Sequence, residues 1–288
     1  MGKQGGGEGI LLEENPEVTR QAGLLLQQAD VGNCLPTPVD KIVRCAHLTV
    51  SRKITLDQNH RDFFSRSFNL LQSALNKTVG MVDLRENIIY VKQNIFPQRR
   101  RFVTLHEVGH ASLPWQRQTY LYLDDETTLA PDIQDQFERE ANQFAADLLF
   151  QIDRFDREAR DLPLSLHSAL SLARNYGASA HAAFRRYVEH HHRACALLVV
   201  KQNATTRRRE ITPWVKFVFQ SASFRHVFEE RNWNTSIQQT VPLLAAMSYP
   251  LRFSKGECRI DDRTGHSVVC SFESYTNSYD IFVFIAPL

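Results

Sequence analysis

The sequence is poor in cysteine and has no cysteine motif. Cys34, Cys45, Cys195, Cys258 and Cys270 are scattered, odd in number and without a CxxC pair. Neither a cysteine-built zinc site nor a disulfide framework is suggested. No apolar run approaches the ~18 residues of a membrane-spanning helix. The opening MGKQGGGEG lacks the apolar core of a secretory signal. Gly6 also stands where a myristoylation signal needs Ser or Thr. Residues 1–14 read as a disordered lead-in. The absence of a signal and of paired cysteines points to a reducing cytoplasm. The formal charge is only +2, so there is no excess of either sign to select a nucleic-acid partner. No internal repeat is visible.

What is present is the composition of an ordinary globular protein, 43% hydrophobic and 23% charged, long enough for two domains. Asn15-Pro16 reads as an N-cap and first helical residue, opening a helix to about Asp30. Val39 to Ala46 and residues 62–75 carry further helical patterns. TVGMVD (Thr78–Asp83) and NIIYVK (Asn87–Lys92) alternate as strands about a polar Arg85-Glu86 turn. A helix is expected from Pro97 to near Pro114, loop over 115–132, and a second strong helix from Ile133 to Phe150. From Pro163 the pattern reads helix, turn, helix, with Gly177 as the stop. Beyond Arg193, the runs Cys195–Val200, Trp214–Gln220, Ser267–Ser274 and Asp280–Ile285 are strand-like, with helices expected over Phe224–Arg231 and Ser236–Met247. Trp214, Phe217 and Phe219 are expected in the core of this region.

The chemistry lies in RFVTLHEVGH, Arg101 to His110. On a helix, residues i and i+4 share a face about 6 Å apart, so His106 and His110 can both turn a ring nitrogen to one metal ion. Glu107 lies about 100° around the helix, at the edge of such a site, where a general base takes a proton from water. Gly109 gives room for another element to approach. A surface helix that carries two histidines is the bland alternative.

A metal site needs a third ligand. In FEREANQFAADLLF (Phe137–Phe150), Phe137, Ala141, Phe144, Ala145 and Leu148 make one apolar stripe. Glu138 and Asn142 share a face at its edge. Glu138 can ligate a metal, and Asn142 can accept a hydrogen bond from the far ring nitrogen of a ligand histidine. Glu138 paired with Arg139 or another surface cation is the competing reading. Glu140, about 200° from Glu138, is expected to face solvent.

HEVGH followed by E-x-x-A-N-x-F-A-A-x-L-L from Glu138 resembles the ImmA/IrrE family of metallopeptidases. LPTPVDKIV, the hairpin ending in NIIYVK and the PQRRRF lead agree with it. The resemblance covers about residues 16–150, and the rest is patterned like the longer, IrrE-like members. It implies an α+β chain: a mainly helical zincin-like domain with a small β-hairpin or sheet (15–160), a helix-turn-helix-like region (161–193) and a GAF-like α+β domain (194–288). It implies Zn²⁺, with Mn²⁺ as a substitute, held by His106, His110 and Glu138, and Glu107 as catalytic base. The implied substrate is a helix-turn-helix repressor, whose cleavage turns on stress-response or mobile-element genes. One departure is local: Phe150-Gln151 stands where the family often has Met-Pro.

The alternative is a regulator or sensor without proteolysis, binding DNA or a protein partner. Arg185, Arg186 and Arg193 are its candidate phosphate contacts, and helices packed as a linker are the plainer reading. Arg99–Arg101 and Arg207–Arg209 read as solvated surface. His190-His191-His192 reads as a cationic helix end. No membrane partner is expected.

Overall fold

The computed structural model describes residues 14–51, 79–92, 94–122, 129–204, 211–228, 233, 253–277 and 279–288. It divides into two compact units, residues 14–155 with Arg174–Ser179, and Asp156–Ala173 with Ala180–Leu288. The fold class is mixed α and β. The patterns expected over residues 62–75 and Ser236–Met247 lie outside the described residues.

In the first unit α1 (Pro16–Gln28) begins as the sequence predicts. Asn15 Oδ1 accepts from the Glu17 N–H, and Pro16 stands where no N–H is needed. Its stripe Val18, Ala22, Leu25 and Leu26 is buried. α2 (Val39–Cys45) leads to β1 (Thr49–Ser51), which pairs in parallel with β3 (Ile88–Val91). β2 (Gly80–Asp83) pairs with β3 antiparallel, giving the order β1-β3-β2. Asp83 Oδ1 closes the expected turn by accepting from Arg85 N and Glu86 N. Three helices follow: α3 (Pro97–Ser112), α4 (Pro114–Tyr122) and α5 (Pro131–Phe150).

α4 corrects the expectation of loop after Pro114. Proline stops the helix before it, but it also starts one well, because its fixed φ suits the first turn. Gln151 explains the departure from Met-Pro. It ends α5 at φ +52°, a conformation closed to proline. Its buried amide donates to the carbonyls of Val31 and Cys34 and to Thr37 Oγ1, tying α5 to the segment after α1. Arg101 also departs from the solvated reading: it is half-buried and donates to the Thr37 carbonyl.

The second unit takes in most of α6 (Arg154–Arg160) and α7 (Leu166–Asn175), all of α8 (Ala180–Glu189), and a five-stranded antiparallel sheet of order β5-β4-β8-β7-β6. Its strands are β4 (Ala196–Ala204), β5 (Ile211–Gln220), β6 (Phe253–Asp261), β7 (Ser267–Thr276) and β8 (Ile281–Pro287), with α9 (Ala222–Val227) after β5. One face packs Leu198, Val200, Ile260, Phe272 and Val283 with Phe224, Phe228 and Trp233. On the other, Phe184 of α8 meets Phe282 and Tyr275, and Tyr187 meets Phe284. Trp214 and Phe217 are not core: they are 40% and 37% exposed on edge strand β5.

Two charged expectations change here. Arg186 is buried and forks onto Asp156, Nε to Oδ1 at 3.0 Å and Nη2 to Oδ2 at 2.7 Å, so it does not face a phosphate. His191 is buried and held neutral. Burial, with His192, Arg193 and Arg160 nearby, pushes its pKa down to about 4. It does not serve as a cation at the end of α8.

This fixes a pH dependence. The folded pKa of about 4 lies below the ordinary 6.5, so the unfolded chain binds the extra proton between those values. Stability from this group is complete above pH 6.5 and lost as pH falls toward 4, by at most about 3 kcal/mol. Urea unfolding of the parent and of His191→Gln across that window is expected to show the parent losing the extra stability. Parallel pH curves would refute it.

Candidate metal centre

α3 presents His106 and His110 one turn apart, and α5 brings Glu138 across to them. The close packing of the two helices depends on Gly109. A Cβ there would lie 3.2 Å from Ala141 Cα and 3.3 Å from its carbonyl oxygen. His106 Nε2 and His110 Nε2 are 3.0 Å apart. Glu138 places Oε2 3.4 Å from the first and Oε1 3.6 Å from the second. The three residues form a group able to hold a metal ion.

The far side of each ring decides what faces inward. His106 Nδ1 lies 3.1 Å from Asn142 Oδ1, and His110 Nδ1 lies 2.8 Å from Gln116 Oε1. A ring nitrogen beside a carbonyl oxygen carries the proton, so in each neutral ring Nε2 keeps its lone pair. Two lone pairs and a carboxylate then converge on one point. With both rings neutral, no proton lies between the histidines, and a cation suits the donor set.

Glu107 is buried beside this group. Burial pushes its carboxyl up to about 7, against the opposing pull of His106 and a hydrogen bond from the Val82 backbone. A Cβ on Gly80 of β2 would strike Val103 Cγ1 and lie 2.8 Å from Glu107 Oε1, so glycine is what lets the strand approach the carboxylate. Burial opposes charge on His106, but the Glu138, Glu107 and Asn142 contacts outweigh it and raise its pKa. His110 is lowered by burial and by His106. Glu138 is lowered chiefly by its His106 contact. Tyr120 sets its ring 5.9 Å from that of His110. Burial, then the charges of Glu138 and Glu107, push its phenol up to about 12. Tyr122 is 88% exposed by contrast.

Glu140 overturns its solvent expectation. It is 5% exposed and accepts from four side chains: Trp115 Nε1 at 2.6 Å, Gln116 Nε2 at 2.8 Å, Gln136 Nε2 at 2.9 Å and Asn15 Nδ2 at 3.3 Å. Sequence reasoning missed Gln116 together with its helix. Pro114 at a first helical position was the signal that could have found both.

Residues 54–187 match the family model described as the IrrE N-terminal-like domain, Peptidase M78. This segment is similar to the IrrE N-terminal-like family. The match holds the histidine pair, Glu107 and the Glu138 helix, and it bears out the resemblance read from HEVGH. It reaches past the expected domain end, into α8. No curated relative matches the chain. Among solved structures, a Mycobacterium tuberculosis transcriptional regulator matches with a TM-score of 0.55 at 10% identity, over 94% of this chain and 76% of that one. At that identity the likeness is one of fold. The IrrE-like segment supports a metallopeptidase-like protein. No helix among the described residues is long and apolar enough to cross a membrane.

Proposed function

We propose that the chain is a zinc-dependent endopeptidase that cleaves a helix-turn-helix transcriptional repressor in the cytoplasm and so derepresses stress-response or mobile-element genes. The observation that carries this reading is the convergence of His106 Nε2, His110 Nε2 and the Glu138 carboxylate, with Glu107 buried beside them. His106, His110 and Glu138 would hold Zn²⁺, or Mn²⁺ in its place, and Asn142 would orient His106. When bound, the ion supplies Lewis acidity to the scissile carbonyl and to the attacking water.

Glu107 takes the proton of that water and passes it to the leaving amine. Substrate pairs with the outer edge of β2 as an added strand. Lys92 N donates to Val79 O, so by alternation the backbone groups of Gly80 and Val82 point away from β3. The Val82 N–H already meets Glu107, which sets the base at that edge. Tyr120 stays protonated at neutral pH and is a donor for the developing oxyanion. The second unit, read as a helix-turn-helix-like region followed by a GAF-like domain, would be the sensing part.

Gly80→Ala is expected to push Glu107 aside. A displacement of about 1 Å costs on the order of 100-fold in turnover, with Zn²⁺ affinity unchanged. A loss of Zn²⁺ affinity, or unchanged turnover, would contradict the placement of the base.

A regulator without proteolysis is the second reading, favoured by the structural neighbour being a transcriptional regulator. One experiment separates them. The helix-turn-helix repressor encoded nearest the gene is incubated with the protein and Zn²⁺ or Mn²⁺, beside Glu107→Gln. A discrete fragment made only by the parent supports the peptidase. No fragment from a sample holding one ion per chain supports the second reading.

A further inference from the structure

Glu140 touches no candidate ligand, yet it lies one residue away from a ligand histidine. Gln116 stands between them. At one end Gln116 Nε2 faces two groups that can only accept: the Glu140 carboxylate at 2.8 Å and the Phe137 carbonyl at 3.1 Å. That end must be the NH₂. The other end is therefore the carbonyl, and it meets His110 Nδ1 at 2.8 Å. A carbonyl there requires a proton on Nδ1, which leaves the Nε2 lone pair facing His106 and Glu138.

The carboxylate that fixes this order is well held. It accepts from Trp115 and Gln116 at one oxygen and from Gln136 and Asn15 at the other. Glu140 and Gln116 are both buried, so water does not readily substitute for either. Asn15 also caps α1, and Gln143 grips the Asn15 backbone at both its N–H and its carbonyl. The anchor of the relay is thus built into the packing of α1 on α5.

We infer that Glu140 is a positioning residue for the metal centre, acting through Gln116 to fix the tautomer and ring orientation of His110. This rests on the metal reading proposed above. Both members are needed: a neutral amide at position 140 sets an NH₂ against inward-pointing donors, and Gln116 then loses the reason to keep its carbonyl toward the ring.

The test uses the full chain and two readouts. The first is Zn²⁺ affinity by competition with a chromophoric chelator. The second is the tautomer of His110 in metal-free protein, by nitrogen NMR of ¹⁵N-histidine-labelled samples, with His110→Gln to assign the signal. Glu140→Gln is expected to weaken Zn²⁺ binding about 10-fold or more and to shift His110 away from the Nδ1–H form. Gln116→Leu is expected to do the same, and it carries the test alone if Glu140→Gln does not fold. The double variant is expected to be no weaker than the worse single, since both cut one chain of contacts. Gln136→Ala, which removes a donor from the other Glu140 oxygen, is expected to change affinity less than about twofold. An unchanged tautomer and affinity in Glu140→Gln would overturn the inference, as would additive losses. A parent protein without a stoichiometric Zn²⁺ site would instead sink the metal reading, while the tautomer would still decide the relay.

Discussion

Glu107→Gln is expected to retain Zn²⁺ within a few-fold of the parent and to lose about 10²–10⁴-fold in cleavage rate. The substitution keeps the size of the side chain and still accepts from the Val82 N–H through its amide oxygen. It removes the one group beside the histidine pair that can take up and return a proton. Burial holds the Glu107 carboxyl near 7 in the absence of an ion. A cation close by favours its ionised form, which is the form a base needs. Because Glu107 is not one of the three converging ligands, metal content and repressor cleavage should separate cleanly. Turnover within tenfold of the parent would remove Glu107 from the mechanism, and loss of bound Zn²⁺ would mean that it serves as a ligand.

The largest stability effect is expected at Asp156→Ala in the second unit. Asp156 and Arg186 are each about 10% exposed at the side chain and meet through two short hydrogen bonds, with His190 Nδ1 a further 3.5 Å from the carboxylate. Removing the carboxylate takes from a buried guanidinium the charge onto which it forks. Breaking a buried pair from one side costs about 3–5 kcal/mol, a large part of the 5–15 kcal/mol that holds a typical domain together. Urea unfolding should show this loss. The double change Asp156→Leu with Arg186→Met removes both charges and is expected to recover most of it. A single-variant cost below about 1 kcal/mol would show the pair to be solvated.

These two sites differ in how far the sequence announced them. The histidine pair, Glu107, Glu138 and Asn142 could be named because helical spacing converts directly into a shared face. The same wheel misplaced Glu140. It gave the angle from Glu138 correctly, but an angle says nothing of what lies opposite. α5 is packed on two sides, by α3 along the Glu138 edge and by α1 and α4 along the Glu140 edge. A helix with neighbours on both sides has no single solvent face. The Arg186 pairing was hidden for a related reason. Its partner lies 30 residues earlier, and neither residue shows in local pattern that it is buried. β6 was missed because Phe253–Asp261 alternates charged with small residues, and only Cys258 and Ile260 point into the core. Trp214 and Phe217 were misread in the opposite sense. Aromatic runs signal a strand, but not whether the strand is central or at an edge.

The most direct test of the account is a metal titration. Protein stripped of metal is titrated with Zn²⁺, and each of His106→Ala, His110→Ala, Glu138→Ala and Glu107→Gln is titrated beside it. One tight site per chain is expected in the parent and in Glu107→Gln, lost or weakened at least 100-fold in the other three. Binding that survives in all three ligand variants, or a parent with no tight site, would contradict it.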